Sequence, residues 1–196
     1  MQNSAAEEQG EGGCNMGLFG RIFGRDKKPV TAATGAPDPI RYKMKNKLVS
    51  FGGDSYIENA KGERVFKVNG KMLRIRDTII FEDLHGVELA KIQEKLLRVK
   101  DTMKIEKGDE TLATVKKAIF DPVRQRFEIR LANGDELVAQ GNILDHEYEI
   151  KRGDWPVAIV SKKWFRVRDT YGIEMQPGAP DIVILASTAC IDEMAK

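Results

Sequence analysis

Hydrophobic residues alternate with polar ones along most of the chain beyond residue 40. Turn-forming pairs such as Asn-Gly, Gly-Asp and His-Gly separate the alternating segments. Short alternating runs spaced by such turns predict about twelve strands in an antiparallel sandwich or barrel. Asn133-Gly134 predicts a type I′ hairpin, which needs two residues with positive φ. The clearest segments are RVFKV (64–68), VELAKI (87–92), TLATVK (111–116), RFEIRL (126–131), ELVAQGNI (136–143), YEIK (148–151) and PVAIV (156–160).

The last segment, PDIVILASTACIDEMAK (180–196), has a different pattern. Pro180 and Asp181 suit the first turn of a helix, since proline needs no N–H there and a carboxylate favours the positive end of the helix dipole. The residues that follow are apolar or small on every side, which is typical of a helix enclosed by protein. The sequence therefore predicts a mainly β protein, a closed antiparallel barrel of about twelve strands that encloses one hydrophobic C-terminal helix.

A ten-residue phrase occurs three times, as LRIRDTIIFE (73–82), LRVKDTMKIE (97–106) and FRVRDTYGIE (165–174). Strict alternation puts Asp77, Asp101 and Asp169 on an otherwise apolar face, where an unpaired carboxylate is costly. A bend at each Asp-Thr, with the carboxylate accepting backbone hydrogen bonds, resolves this conflict. The alternative, a shared metal or acid–base site, needs the three aspartates to meet in space.

The opposite face of the repeat carries basic residues. The two basic residues of each copy stand at alternate positions and therefore lie on one side of a strand. There they form either a phosphate-binding stripe or a solvated face balanced by Glu82, Glu106 and Glu174. The third copy is the strongest candidate because two lysines precede it. The candidate lipid or phosphate ligands are Lys162, Lys163, Arg166 and Arg168.

Residues 1–39 differ from the rest of the chain. They are rich in Gly, Ala and small polar residues, which predicts a disordered tail before one barrel domain at 40–196. Within the tail, residues 16–28 form an amphipathic island, with an alternative start at Met16. It is either a weak membrane anchor or an unstructured leader. The anchor candidates are Leu18, Phe19, Ile22 and Phe23.

Charge and composition exclude several classes of protein. The 32 basic and 30 acidic residues nearly balance, so a nucleic-acid partner is not expected. Cys14 and Cys190 lie in unlike surroundings, which favours reduced thiols and a cytoplasmic protein. No apolar run reaches the roughly 20 residues that span a bilayer.

His85 and His146 lack partners at metal-ligand spacing and are expected to be solvated. No cofactor, metal or catalytic motif is found in the sequence.

Three segments together resemble the LURP-one-related family: LRIRDT with its following hairpin, VSKKWFRVRDTYGIEM (160–175) and DIVILASTACIDEM (181–194). The resemblance implies a tubby-like barrel of twelve strands around a central helix, a fold shared with phospholipid scramblases. It carries over no catalytic residues, although tubby-like domains bind phosphoinositides. The expected function is therefore non-enzymatic binding of lipid headgroups at the membrane periphery. The alternatives are a protein-interaction scaffold, which binds a protein partner and no lipid, and scramblase-like lipid handling.

Overall fold

The computed structural model describes residues 38–45, 55–72, 77–94, 102–118, 125–164 and 170–195. These residues form twelve strands and one helix, α1 (Asp181–Met194). The strands are β1 (Ile40–Lys45), β2 (Ser55–Asn59), β3 (Arg64–Met72), β4 (Asp77–Glu82), β5 (Glu88–Glu94), β6 (Thr102–Lys107), β7 (Glu110–Lys117), β8 (Arg126–Leu131), β9 (Glu136–Asn142), β10 (Glu147–Arg152), β11 (Trp155–Ser161) and β12 (Thr170–Met175).

The strands close into one antiparallel barrel in which each strand pairs with its neighbours in sequence. Closure is made by β1, where Tyr42 lies opposite Asn59 of β2 on one side and opposite Ile173 of β12 on the other. A closed barrel has no free sheet edge, so the backbone N–H and C=O groups of every strand have a partner strand on both sides. The predicted fold class is confirmed.

Alternation along the strands decides which side chains face the interior. In β8, Phe127 and Ile129 are fully buried, whereas Arg126, Glu128 and Arg130 are exposed. A fully buried large apolar side chain contributes roughly 1.5 to 3 kcal/mol. The inward-facing residues of all twelve strands thus build one core around α1.

Helix α1 fills the interior. Its residues from Ile184 to Ile191 are all buried, which agrees with a helix that is apolar on every side. The Thr188 hydroxyl donates to the Ile184 carbonyl at 3.0 Å, so this buried polar group bonds back to the helix. At the helix start, the Tyr42 hydroxyl donates to Asp181 at 2.5 Å. Asp181 therefore ties the first turn of α1 to the barrel wall.

One predicted turn has a different geometry. Gly134 has φ +89°, but among the described residues only His146 is a non-glycine with positive φ, so Asn133 does not adopt the type I′ conformation. Instead, the Gly134 N–H donates to the Leu131 carbonyl at 3.0 Å, and the Asp135 N–H donates to the Asn133 side chain at 3.0 Å. This is a type I turn followed by a glycine in the left-handed region. The type I′ prediction is wrong because the Asn133 side chain stabilises the alternative turn.

The repeated phrase contributes buried threonines. Alternation puts Thr78 on the outer face of β4, yet Thr78, Thr102 and Thr170 are 3%, 7% and 1% exposed. Each lies directly opposite a long side chain on the neighbouring strand, which shares its face and can cover it with an aliphatic stem. These neighbours are Gln93, Lys116 and Lys45.

Enclosure of α1 predicts slow alkylation of Cys190. The thiol is 0% exposed, and burial, with Glu193 and Asp192 nearby, raises its pKa well above the ordinary range. Since only the thiolate reacts, a Cys14→Ser variant is expected to stay unreactive toward a maleimide as the pH rises through the ordinary range of thiol pKa values, to about 9. The same variant in denaturant should react within minutes; fast alkylation of the native protein would mean that α1 leaves the barrel.

Candidate functional site

The barrel has two distinct ends because its strands run alternately up and down. At the end where α1 begins, the "start end", the strands are joined by residues 60–63, 83–87, 108–109, 132–135 and 153–154, and residues 176–180 lead into α1. At the other, the "finish end", the strands are joined by residues 46–54, 73–76, 95–101, 118–125, 143–146 and 162–169. The first four residues of all three repeated phrases thus fall between strand ends that lie at the finish end.

The charges of these connections differ sharply. Those of the start end contain one basic residue, Lys61, and five acidic ones, whereas those of the finish end contain eleven basic and five acidic residues. A six-residue strand rises roughly 20 Å, which exceeds the Debye length of about 8 Å at physiological ionic strength, so solvent ions separate the two potentials. The basic residues of the finish-end connections are Lys47, Arg74, Arg76, Lys95, Arg98, Lys100, Arg124, Lys162, Lys163, Arg166 and Arg168.

At the finish end, the structure describes the segment that follows β11. Lys162, Lys163 and Trp164 are exposed, and Trp164 is 41% exposed. The Lys162 N–H donates to the His146 carbonyl at 3.1 Å, which holds this segment against the turn between β9 and β10. That turn presents Leu144, a large apolar residue that is 65% exposed. Two lysines and two exposed apolar side chains therefore share one part of the finish end.

Glu147, the first residue of β10, organises this segment. Its carboxylate accepts hydrogen bonds from the backbone N–H groups of Lys162 at 3.0 Å and Lys163 at 3.2 Å. The Ser161 hydroxyl donates to the same carboxylate, with oxygen–oxygen distances of 3.0 and 3.2 Å. The Lys163 ammonium lies 3.2 Å from Oε2 of Glu147, and the lysine side chain is 73% exposed. Four donors from three consecutive residues thus converge on one anion.

A polar cluster lies just inside the barrel, below this segment. The Tyr171 hydroxyl donates to Asp192 in the last turn of α1 at 2.7 Å, and the His146 ring stacks on the Tyr171 ring at 4.4 Å. Nε2 of His146 lies 3.1 Å from Oδ1 of Asp192, although the geometry is not that of a hydrogen bond. Burial, with Asp192 nearby, raises the pKa of the Tyr171 and Tyr148 hydroxyls, so both stay protonated at neutral pH.

This cluster corrects the expectation for His146. The residue is 9% exposed and has φ +53°, a left-handed conformation that is uncommon for a non-glycine residue. Its side chain faces Asp192 and Tyr171, so the expectation of a solvated histidine is wrong. Sequence spacing could not show this, because Asp192 and Tyr171 come from α1 and β12, far along the chain.

The structure describes only two of the predicted site residues. Lys162 and Lys163 lie side by side and exposed at the finish end. Arg166 and Arg168 lie outside the described residues, as do the anchor candidates Leu18, Phe19, Ile22 and Phe23.

The acidic members of the repeat are only partly described. Asp101 and Asp169 are outside the described part, and the side chain of Asp77 is not described. The three glutamates of the outer face each lie within 4 Å of a cation, in the pairs Arg41–Glu174 (2.7 Å), Lys104–Glu106 (3.6 Å) and Lys67–Glu82 (3.8 Å). Two of these cations, Arg41 and Lys67, lie on neighbouring strands rather than in the repeat.

The described residues contain neither a cluster of metal-ligating side chains nor a membrane-spanning helix. No group of three or more His, Cys, Asp or Glu side chains in this part of the chain is arranged to hold a metal ion. Within the same part, no helix is both long enough and apolar enough to cross a membrane.

Comparison with known proteins identifies the class. The barrel with an enclosed helix is similar to an X-ray structure of a protein from Arabidopsis thaliana, with a TM-score of 0.61 and 19% sequence identity over 82% of this chain and 94% of that chain. That likeness concerns the fold. The LURP-one-related family matches residues 40–192, and the chain belongs to this family. No curated protein matches the chain.

Proposed function

We propose that the protein is a non-enzymatic barrel that binds anionic lipid headgroups at the membrane periphery through its finish end. The observation that carries the proposal is the charge of the connections, eleven basic against five acidic residues at the finish end and one against five at the start end. A basic residue near an anionic leaflet contributes about 1 kcal/mol. The finish end is therefore attracted to such a surface and the start end is repelled.

The exposed side chains support the same orientation. Leu144 and Trp164 accompany Lys162 and Lys163 at the finish end. Tryptophan favours the headgroup level of a bilayer, and an exposed leucine gains free energy on entering the acyl boundary. At the start end, Leu84 and Val87 lie in the turn between β4 and β5, six strands round the barrel from Trp155, so they form no common patch with it.

The interior favours binding rather than catalysis. Ser187, Thr188 and Cys190 are the hydroxyl and thiol groups of α1, and all three are fully buried within the core. Burial also raises the pKa of the Cys190 thiol, which disfavours the reactive thiolate. Tyr42 and Tyr171 hold the two ends of α1 through Asp181 and Asp192, which opposes a scramblase-like exit of the helix.

Sedimentation with liposomes tests the proposal. The full chain and a version that begins at Pro39 are mixed with phosphatidylcholine vesicles that contain anionic phosphoinositides, at low and at physiological salt. The proposal expects both proteins to pellet with the vesicles and the bound fraction to fall as salt rises, because exposed charges are screened. Binding by the full chain alone would assign membrane contact to residues 16–28. Binding by neither would favour the protein-interaction scaffold.

A further inference from the structure

The carboxylate of Glu147 sits among donors that suit a phosphate group. Consecutive backbone N–H groups, a hydroxyl and an ammonium that converge on one point form a concave anion site. At the finish end these are the N–H groups of Lys162 and Lys163, the Ser161 hydroxyl and the Lys163 ammonium, all within 3.2 Å of the Glu147 oxygens. A carboxylate and a phosphate both offer charged oxygens to such a site, so the side chain stands where a ligand oxygen would stand.

The backbone donors do not depend on Glu147 alone. The Lys162 N–H also donates to the His146 carbonyl at 3.1 Å, and the Lys163 N–H also donates to the Ser161 hydroxyl oxygen at 3.2 Å. Because each N–H has this second acceptor, neither is left unpaired when the carboxylate moves away. The segment therefore keeps its hydrogen bonds whether or not Glu147 occupies it.

The site is also open on one side. Glu147 is only 16% exposed in its side chain, but the Lys163 side chain that covers it is 73% exposed. Lys162 is exposed as well. A headgroup that approaches the finish end meets these two lysines first and then the donors that hold Glu147.

From this geometry we propose that Glu147 is a built-in competitor for the phosphate of a lipid headgroup, so that the site formed by Ser161, Lys162 and Lys163 binds a phosphate monoester only when the headgroup displaces the carboxylate. The inference rests on the proposed function and adds a ligand subsite and its regulation to it. The carboxylate of Glu147 therefore sets the minimum charge that a headgroup needs in order to bind. A headgroup with few charged oxygens cannot displace a carboxylate that is covalently held at the site.

Glu147→Gln tests this inference in the full chain. The substitution keeps the volume of the side chain and removes its charge. We expect the affinity for phosphatidylcholine vesicles that contain phosphatidylinositol monophosphate to rise at least about fivefold more than in a variant that loses a charge elsewhere on the strand, because the headgroup no longer has to displace an anion from charge-assisted hydrogen bonds. The rise should be much smaller on vesicles of the same surface charge made with phosphatidylserine, which offers no phosphate monoester.

Glu149→Gln is the matched control. Glu149 lies on the same strand, its side chain is similarly covered at 17% exposure, and it pairs with Lys151 at 2.7 Å rather than with the segment at 161–163. It undergoes the same change of charge, so it reports the general electrostatic effect. Ser161→Ala in the Glu147→Gln background removes one donor and should reverse part of the gain.

The outcomes separate this inference from the proposed function. If the wild type binds anionic vesicles but Glu147→Gln and Glu149→Gln behave alike, or if the gain is equal on the two lipids, Glu147 is not a competitor and the proposed function still stands. If neither wild type nor variants bind, both proposals are wrong. Titration with inorganic phosphate should show only weak binding; saturable tight binding to the wild type would overturn the assignment to a lipid headgroup.

Discussion

Replacing Lys162, Lys163, Arg166 and Arg168 together with glutamine is expected to lower the affinity for anionic vesicles by a hundredfold or more. Each basic residue near an anionic surface contributes about 1 kcal/mol, and about 1.4 kcal/mol is a factor of ten, so four residues account for roughly two to three powers of ten. Sedimentation or surface binding at low salt measures the loss. Circular dichroism checks that the variant keeps its fold.

A matched set of substitutions at the start end controls for net charge. Glutamine at each of four exposed basic positions removes the same total charge from the opposite end. We expect this control to bind within about threefold of the wild type, because charges farther away than a Debye length contribute little. An equal loss in the two variants would show that the whole protein, rather than its finish end, is attracted to the vesicle. The control positions are Lys61, Arg64, Arg130 and Arg152.

Gly141→Ala is expected to lower the free energy of unfolding by about 3 kcal/mol or more, since a strained backbone and overpacking each cost about 1 to 3 kcal/mol. Gly141 has φ +148°, and a Cβ there would lie 2.7 Å from the Glu147 carbonyl oxygen and 2.7 Å from Cα of Tyr148. Both are backbone atoms of β10, which pairs with β9 at this point, so neither can move without disturbing the hairpin. Urea unfolding followed by circular dichroism measures the change.

Gly134→Ala separates the cost of a strained backbone from the cost of overpacking. Gly134 also has a positive φ, +89°, but a Cβ there would meet nothing within 4 Å. We expect a loss of only about 1 kcal/mol from conformation alone. Equal losses in the two variants would contradict the close approach of β10 to Gly141. Because the β9–β10 hairpin carries the exposed Leu144 and holds the Lys162 N–H through the His146 carbonyl, Gly141→Ala should also weaken vesicle binding, whereas Gly134→Ala should not.

The fold was predictable from the sequence because the inward and outward positions alternate locally. Phe127 and Ile129 on β8 are examples, since their burial follows from a period of two within six residues. The enclosed helix was predictable because DIVILASTACIDEM has no polar face for solvent. The turn at Asn133 was not, because its type depends on a side-chain hydrogen bond to the Asp135 N–H that competes with the type I′ geometry.

The candidate site was predictable only in part. Lys162 and Lys163 stand out as adjacent cations, but the role of Glu147 needs the pairing of β10 with β11, which puts Glu147 opposite Ser161. His146 likewise acquires its partners only when α1 is inside the barrel. One signal was present in the sequence: alternate connections along the chain are together acidic and the others together basic, and up-and-down connectivity sorts the two sets to opposite ends.

The two tryptophans of the chain report which end of the barrel faces the membrane, and the proposed function expects this to be the finish end. Trp164 lies at the finish end and Trp155, 62% exposed, begins β11 at the start end. Trp155→Phe and Trp164→Phe each leave one fluorophore, which is then measured with anionic vesicles that contain brominated phosphatidylcholine. We expect Trp164 to shift to the blue and be quenched while Trp155 is unchanged. Quenching of Trp155 with no change at Trp164 would contradict the proposed orientation.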